Sequence, residues 1–210
     1  MKKFMLASAL ALACSTAPTQ ASTTITFAGG SSDLPVDSKV IQDFDALAVG
    51  SSIGSNASVY ATTGIAAARP AFGSTGNYGA VNSGGTFVFD FAASELFAFI
   101  IGSLDTYNSL LLRYADGSST LLTGGAIVDN SSLFDSGNRT INDTNGSVSY
   151  RVTSGPLLTG ATFTSNFDAF EFDNMAVAVP EPAAWAMMIF GFALVGGSLR
   201  RRPTVKVNFA

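Results

Sequence analysis

Two pairs of acidic residues have a spacing that could support catalysis: Asp43 with Asp45, and Glu171 with Asp173. Residues two apart share one face of a β-strand, so each pair could act as a carboxylate dyad for glycoside hydrolysis. Two phenylalanines alternate with Glu171 and Asp173, and a strand with a solvated outer face and an apolar inner face shows the same alternation. We favour this second interpretation, in which the acids face solvent.

The other side chains that commonly carry chemistry are scarce. The 210 residues include no histidine and one cysteine, Cys14. Without histidine there is no Ser-His-Asp triad, no histidine-ligated zinc or haem, and no pH switch based on imidazole. One cysteine allows neither an intramolecular disulfide nor a CxxC site. These absences argue against an enzyme.

Oxygen-rich side chains offer a candidate calcium site in two places. Residues 142–146 (NDTNG) resemble part of a calcium-binding loop, but the full loop pattern is absent. Asp105, Asn108, Asp173 and Asn174 could converge on one rim and supply oxygen ligands. Asp and Asn also build turns through their side chains, and we favour that role. The sequence predicts no cofactor and at most weak calcium binding.

Charge is distributed unevenly along the chain. Six of the 11 basic residues lie in two short terminal segments, whereas residues 22–179 hold five basic and 14 acidic residues, a net charge of −9. A nucleic-acid-binding protein needs a basic face to neutralise phosphates. The middle of the chain has the opposite sign, which excludes nucleic acid as a partner.

The N-terminus has the layout of a secretory signal peptide. Lys2 and Lys3 precede a ten-residue apolar run over residues 4–13, and small residues follow up to Ala21 and Ser22. The run is too short to span a bilayer. We predict a signal peptide over residues 1–21, with the Sec translocon and signal peptidase as partners and cleavage between Ala21 and Ser22. Cleavage after Ala17, acylation at Cys14 and a short buried helix are the alternatives.

The C-terminus predicts a single transmembrane helix over residues 183–199. These 17 residues carry no charge, and as a helix they would be about 25 Å long. Trp185 lies at one end, where an indole suits the membrane interface; Arg200, Arg201 and Arg202 lie at the other. By the positive-inside rule the arginines are cytoplasmic. The signal peptide places residues 22–179 on the opposite side.

Just before this helix, Pro180 and Pro182 flank Glu181 and favour a stiff, extended backbone that a protease can reach. Pro-Glu-Pro, then Trp185, an apolar helix with glycines and an arginine cluster closely resemble the bacterial PEP-CTERM sorting signal in its PEPxxWA form. Segments of this type also carry the name ice-binding-protein C-terminal domain, and that name alone does not indicate ice binding. We assign residues 180–210 to this sorting segment.

The resemblance implies processing by exosortase, an integral-membrane, cysteine transpeptidase-like enzyme. The implied steps are Sec export, transient retention in the inner membrane, cleavage near Pro180-Glu181-Pro182, and transfer to the cell surface or extracellular matrix. The alternative is a permanent single-span anchor. In either case these residues are a substrate and perform no chemistry themselves.

Residues 22–179 predict one all-β domain, because short alternating apolar runs are separated by Gly, Ser, Thr and Asn. An antiparallel β-sandwich or jelly roll with a phenylalanine-rich core fits this pattern. Ser51–Gly64 and Gly73–Gly85 are rich in Gly, Ser and Asn and predict long surface loops. The predicted strands cover 24–27, 87–91, 96–101, 110–114, 119–123, 147–152, 161–164 and 170–173, with 115–118 as a hairpin turn.

Two short strings, Gly102–Asn108 and Phe170–Asn174, also resemble the ectodomains of exosortase-dependent surface proteins, which again implies a β-sandwich. The sequence thus predicts an exported, non-enzymatic surface or matrix protein with a structural or adhesive role. The alternative is a carbohydrate-binding module of the exopolysaccharide matrix. Its candidate platforms would be the tyrosines, at Tyr60, Tyr78, Tyr107, Tyr114 and Tyr150.

Overall fold

The computed structural model describes residues 20–130, 136–179 and 182–200. Over these ranges the chain forms ten β-strands, a 3₁₀ turn at Gly124–Val128, and one α-helix, α1, at Pro182–Leu199. The strands are β1 (Ser22–Gly29), β2 (Ser38–Gln42), β3 (Ser52–Tyr60), β4 (Tyr78–Ser94), β5 (Leu96–Gly102), β6 (Asn108–Tyr114), β7 (Ser119–Thr123), β8 (Gly146–Ser154), β9 (Leu158–Ser165) and β10 (Phe170–Ala178).

All strand pairs are antiparallel, which confirms the predicted all-β class. The strand order is β1-β8-β5-β10-β4-β9-β6-β7, with β2 added to β10 and β3 added to β4. The strands form one curled sheet rather than two separate ones. The reason is β4, which is 17 residues long. Its first part pairs with β3 and β10, and its second part pairs with β9.

The core lies where the two halves of the curled sheet face each other. Phe163 of β9 is fully buried. Its ring centroid is 4.5 Å from that of Phe172 on β10 and 5.1 Å from that of Phe99 on β5. Phe87 of β4 stacks on Phe172 at 5.2 Å. Aromatic pairs at these distances stabilise a core beyond the area that they bury, so phenylalanines join the halves as the sequence predicts.

Two segments predicted as surface loops are strands. Ser51–Gly64 contains β3, and Gly73–Gly85 contains the first part of β4. Two of their glycines lie where the backbones of β3 and β4 come very close together: a Cβ on Gly54 would be 2.3 Å from the Thr86 carbonyl oxygen, and one on Gly85 would be 2.5 Å from the Asn56 carbonyl oxygen. Glycine is the one residue without a Cβ, so a loop-like composition here marks close strand pairing. The short strand β2 has exposed apolar residues and no regular alternation, and the sequence does not predict it.

The predicted hairpin is confirmed. β6 and β7 pair in register, with Arg113 opposite Ser119. The Tyr114 amide donates to the Ser118 carbonyl oxygen at 2.9 Å, and Gly117 has a φ of 84°. A glycine suits this position because a positive φ strains residues that have a Cβ.

Candidate functional site: strand β10 and the sorting segment

Strand β10 carries one of the predicted acid pairs, and that pair is buried. Glu171 is 1% exposed and Asp173 is 0% exposed. The expectation that both acids face solvent is therefore wrong. The connection between β3 and β4, residues 61–77, folds over this face of β10 and covers it. Alternation along β10 shows which residues share a face, but it does not show that a distant segment covers that face.

Both oxygens of the Glu171 carboxylate accept hydrogen bonds. The Ala68 amide donates to Oε1 at 2.7 Å, and the Ser103 hydroxyl donates to Oε2 at 2.6 Å. Burial raises the pKa of Glu171 to about 7, although these bonds and the charge of Arg139 act in the opposite direction.

Asp173 is held in a similar way. The Ser74 hydroxyl donates to Oδ2 at 2.7 Å, and the Asn174 amide donates to Oδ1 at 2.8 Å. Burial raises the pKa of Asp173 to about 7, and Asp45 adds to the increase. Glu171 and Asp173 thus fasten residues 61–77 and the turn at Ser103 to β10. A substrate cannot reach either carboxyl group in this arrangement.

The other acid pair lies in a turn rather than in a strand. Asp43 and Asp45 are exposed on either side of Phe44, which is fully buried and has a φ of 63°. The Asp45 amide donates to Asp43 Oδ1 at 3.1 Å, and the Asn77 amide donates to Asp45 Oδ1 at 2.6 Å. These carboxylates organise local backbone, as Asp commonly does in turns.

Asn145, in the segment resembling a calcium loop, has an internal structural role. Its Oδ1 accepts a hydrogen bond from the Ser103 amide at 2.9 Å, and its Nδ2 donates to the Asn138 carbonyl oxygen at 2.8 Å. Its amide group therefore points into the protein and links two loops. Among the residues that the structure describes, no group of three or more Cys, Asp or Glu residues is arranged to hold a metal ion.

The four residues proposed for a calcium rim belong to two separate networks. The Asn108 side chain accepts from the Asp105 amide at 2.7 Å and donates to the Ser165 hydroxyl at 2.9 Å. Burial raises the pKa of Asp105. In contrast, the side chains of Asp173 and Asn174 contact Ser74 and Gly73.

The sorting segment follows β10 without a linker. The Ala178 amide donates to the Ser94 hydroxyl oxygen at 3.1 Å, and the Val179 amide donates to the Asp37 carbonyl oxygen at 2.8 Å. Helix α1 then begins at Pro182, with Pro180 and Glu181 lying outside the described residues. Sheet pairing therefore continues to within a few residues of the Pro-Glu-Pro sequence.

Helix α1 covers the predicted segment 183–199 and presents apolar side chains to its surroundings. Trp185 is 57% exposed. The other large exposed apolar residues of α1 are Met187, Met188, Ile189, Phe190, Phe192, Leu194 and Val195. In the part of the chain that the structure describes, no helix has both the length and the apolarity needed to cross a membrane. The helix is confirmed and its predicted transmembrane character is not.

Several predicted positions lie at or beyond the limits of the described residues. Ser22 is the first residue of β1, and Ala21 is partly buried just before it. Arg200 follows α1, and its amide donates to the Gly196 carbonyl oxygen at 3.2 Å. Besides Pro180 and Glu181, the predicted positions outside the described residues are the predicted signal peptide up to residue 19, including Lys2, Lys3, Cys14 and Ala17, and the last two arginines of the cluster, Arg201 and Arg202.

Residues 178–202 match the PEP-CTERM protein-sorting motif, which confirms the resemblance drawn from Pro-Glu-Pro, Trp185 and the arginine cluster. The match begins at the last residue of β10 and ends at Arg202. No curated protein and no solved structure matches the chain. The chain thus carries a PEP-CTERM sorting motif, the mark of an exported protein that exosortase processes and directs to the cell surface.

No sequence signal identifies the residues that hold the end of β10. Ser94 and Asp37 lie 84 and 142 positions from their partners Ala178 and Val179. Neither residue belongs to a motif, and no local pattern links it to the sorting segment. Contacts of this kind are set by the order of strands in the sheet, which the sequence does not reveal.

Proposed function

We propose that the β-domain of residues 22–179 is the cargo of the sorting system and has a structural or adhesive role at the cell surface or in the extracellular matrix. The observation that carries this proposal is the direct continuation of β10 into the motif. Because no further folded segment lies between them among the described residues, the β-domain is the part that processing would deliver.

In this proposal, helix α1 holds the chain transiently at the inner membrane before processing. Support comes from its exposed apolar side chains, which extend around the helix, and from the arginine cluster at residues 200–202. The signal peptide over residues 1–21 would bring residues 22–179 across the membrane through the Sec translocon.

The proposal also assigns no catalytic activity and no cofactor to the domain. It is supported by the acid pairs, whose carboxylates are engaged in holding loops, and by the absence of histidine from the sequence. Calcium would bind weakly at most. A melting temperature that rises by more than about 10 °C in millimolar calcium would contradict this part of the proposal, because such a rise requires saturation of a specific site.

The most direct test compares cells with and without exosortase. The mature protein is located by fractionation, and both of its termini are determined by mass spectrometry. With exosortase, we expect a surface or extracellular product that lacks α1. Without it, we expect the protein to retain α1 and stay in the inner-membrane fraction. The same shortened product in both kinds of cell would contradict the proposal.

Carbohydrate binding is a second candidate, favoured by a cleft between the two ends of the curled sheet. This cleft has a volume of about 340 Å³, and none of the described residues that line it is charged; two of them, Gln20 and Ala21, precede the predicted cleavage site. The hydroxyl groups of Thr23 and Tyr114 lie 2.9 Å apart in it, and Thr120 adds a third. Apolar side chains of Ile25 and Leu122 line the wall. Hydroxyls beside an apolar surface suit a neutral sugar.

The tyrosines are poorer sugar platforms than the sequence suggests. Tyr78, Tyr114 and Tyr150 are buried, and Tyr60 and Tyr107 are half-buried. A glycan array probed with the released protein tests this second candidate. Binding that Thr120→Val weakens at least about tenfold would support the cleft as the site, since loss of a hydrogen bond to a ligand commonly has an effect of this size. No binding to any polysaccharide of the host matrix would count against it.

A further inference from the structure

The end of β10 is fixed by one hydrogen bond to a side chain and by one backbone hydrogen bond that extends its pairing with β2. One joins the Ala178 amide to the Ser94 hydroxyl oxygen at 3.1 Å. Ser94 is buried, and its hydroxyl also donates to the Leu96 carbonyl oxygen at 2.7 Å, which fixes its orientation. The second joins the Val179 amide to the Asp37 carbonyl oxygen at 2.8 Å.

The residue that accepts from Val179 is itself held by an ion pair. Arg151 Nη2 donates to both carboxylate oxygens of Asp37, at 2.9 and 2.7 Å, and Arg151 Nη1 donates to Glu95 at 3.1 Å. Glu95 is the residue between β4 and β5, next to Ser94. One guanidinium group therefore joins Asp37, whose carbonyl oxygen accepts from Val179, to Glu95, the neighbour of Ser94.

We propose that Ser94, Asp37 and Arg151 form an exit clamp, which withholds the chain up to Val179 from exosortase and thereby sets the C-terminus of the released domain at or beyond Val179. The proposal rests on exosortase processing of the sorting motif. It makes the three residues positioning residues for that reaction, because they act by holding the substrate backbone and contact no reacting atom.

The physical reason is competition for backbone groups. A protease that binds an extended substrate does so largely through main-chain hydrogen bonds, as in the addition of a strand to a sheet. The amides of Ala178 and Val179 are already engaged in the folded domain. Cleavage upstream of Pro180 therefore requires the end of β10 to detach, and the clamp keeps the detached population small.

The test uses the full chain in cells that contain exosortase, with Ser94→Ala, Arg151→Met and the double variant. The readout is the C-terminus of the released protein, determined by intact mass. In the wild-type protein, nearly all of the product is expected to end at or after Val179, with a small fraction that ends before it. In the double variant, species that end before Val179 are expected to increase about fivefold or more, the effect of one lost hydrogen bond on local detachment.

Three controls separate positioning from general stability. Arg113→Met removes an ion pair with Asp90, also 2.7 Å long, on the other half of the sheet, and it should leave the C-terminus unchanged. Arg151→Lys keeps the charge and should return most of the product to the wild-type C-terminus. Amide hydrogen exchange at Ala178 and Val179 should be slow in the wild-type chain and faster in the double variant, even if that variant is poorly processed.

The outcomes are distinct. A double variant with the wild-type C-terminus and rapid exchange at both amides would overturn the exit clamp, because detachment would not move the cleavage site. Fast exchange in the wild-type chain would overturn it as well. If the wild-type C-terminus is the same in cells without exosortase, the proposed function fails, and the exchange measurement still decides whether the clamp holds the end of β10.

Discussion

Burial gives Glu171 and Asp173 a proton affinity unlike that of an ordinary surface acid. Desolvation raises the pKa of each carboxyl to about 7, so both titrate near neutral pH in the folded protein. In the unfolded chain they would titrate near pH 4. The folded state therefore binds protons more tightly between about pH 4 and pH 7. The contribution of these bound protons to the stability of the folded state is fully present below pH 4 and is lost as the pH rises through 7.

The first prediction concerns Glu171→Gln, which imitates the neutral carboxyl group in size. We expect the variant to be more stable than the wild-type protein at pH 8 by about 1–3 kcal/mol, since it removes a buried charge. At pH 4 the difference should vanish, because wild-type Glu171 is then protonated. Urea unfolding of both proteins at the two pH values measures the difference.

The matched control is Asp33→Asn, a substitution of an exposed acid. It should change the free energy of unfolding by no more than about 0.5 kcal/mol at either pH. If Glu171→Gln is instead less stable than the wild-type protein at pH 8, the ionised carboxylate stabilises the fold through its bonds to Ala68 and Ser103. The explanation based on desolvation would then be wrong.

At the scale of elements, the sequence predicts those strands whose own side chains alternate. Phe87, Phe89 and Phe91 do so in the second part of β4, and Asp-Gly identifies the β6–β7 hairpin. The sequence does not predict β3, because Gly54 and its neighbours allow close contact between backbones and give little apolar signal. The sequence also does not predict that the acidic face of β10 is buried, because residues 61–77, which cover this face, are distant from β10 in the chain.

The second prediction concerns β9, which joins the two halves of the core through Phe163. Phe163→Ala leaves a cavity that strands on both sides cannot fill, and we expect it to lower the free energy of unfolding by about 3–5 kcal/mol. Phe167→Ala is the control, since that ring is 63% exposed. It should cost less than about 1 kcal/mol. Chemical denaturation measures both, and equal losses would show that Phe163 does not join the halves.

At the scale of the whole molecule, the chain leaves the domain from the interior of the sheet. β10 pairs with β2, β4 and β5 and contributes Phe170 and Phe172 to the core. Removal of everything after Val179 therefore leaves the core and every strand intact. β1 begins at Ser22 in the same way, next to the predicted cleavage site. The boundaries of the folded domain thus coincide with its two expected processing sites.

The sorting segment is the part of the candidate site that sequence predicts most fully. Its information lies in a short local order of Pro-Glu-Pro, Trp185, apolar residues and arginines, so no knowledge of the fold is needed. The exit clamp is the opposite case. Its residues come from the start of the domain, from the end of β4 and from β8, and only the folded sheet brings them to Val179.

The third prediction concerns export. N-terminal sequencing of the mature protein should give Ser-Thr-Thr-Ile, the sequence that begins at Ser22. Cleavage there removes the signal peptide and keeps β1 whole, with its pairing to β8. Recovery of an acylated Cys14 as the first residue would instead establish a lipoprotein, and it would contradict the simple signal-peptide interpretation.

The central claim, that the PEP-CTERM motif directs processing and release, is tested by replacing Pro180-Glu181-Pro182 with three alanines. The apolar residues of α1 and the arginine cluster stay unchanged, so membrane association should persist. We expect the variant to accumulate at full length, apart from its signal peptide, in the inner-membrane fraction, while the wild-type protein reaches the surface with a shortened C-terminus. If the triple-alanine variant reaches the surface at the wild-type level with the same C-terminus, Pro-Glu-Pro is not the processing signal, and the account is wrong.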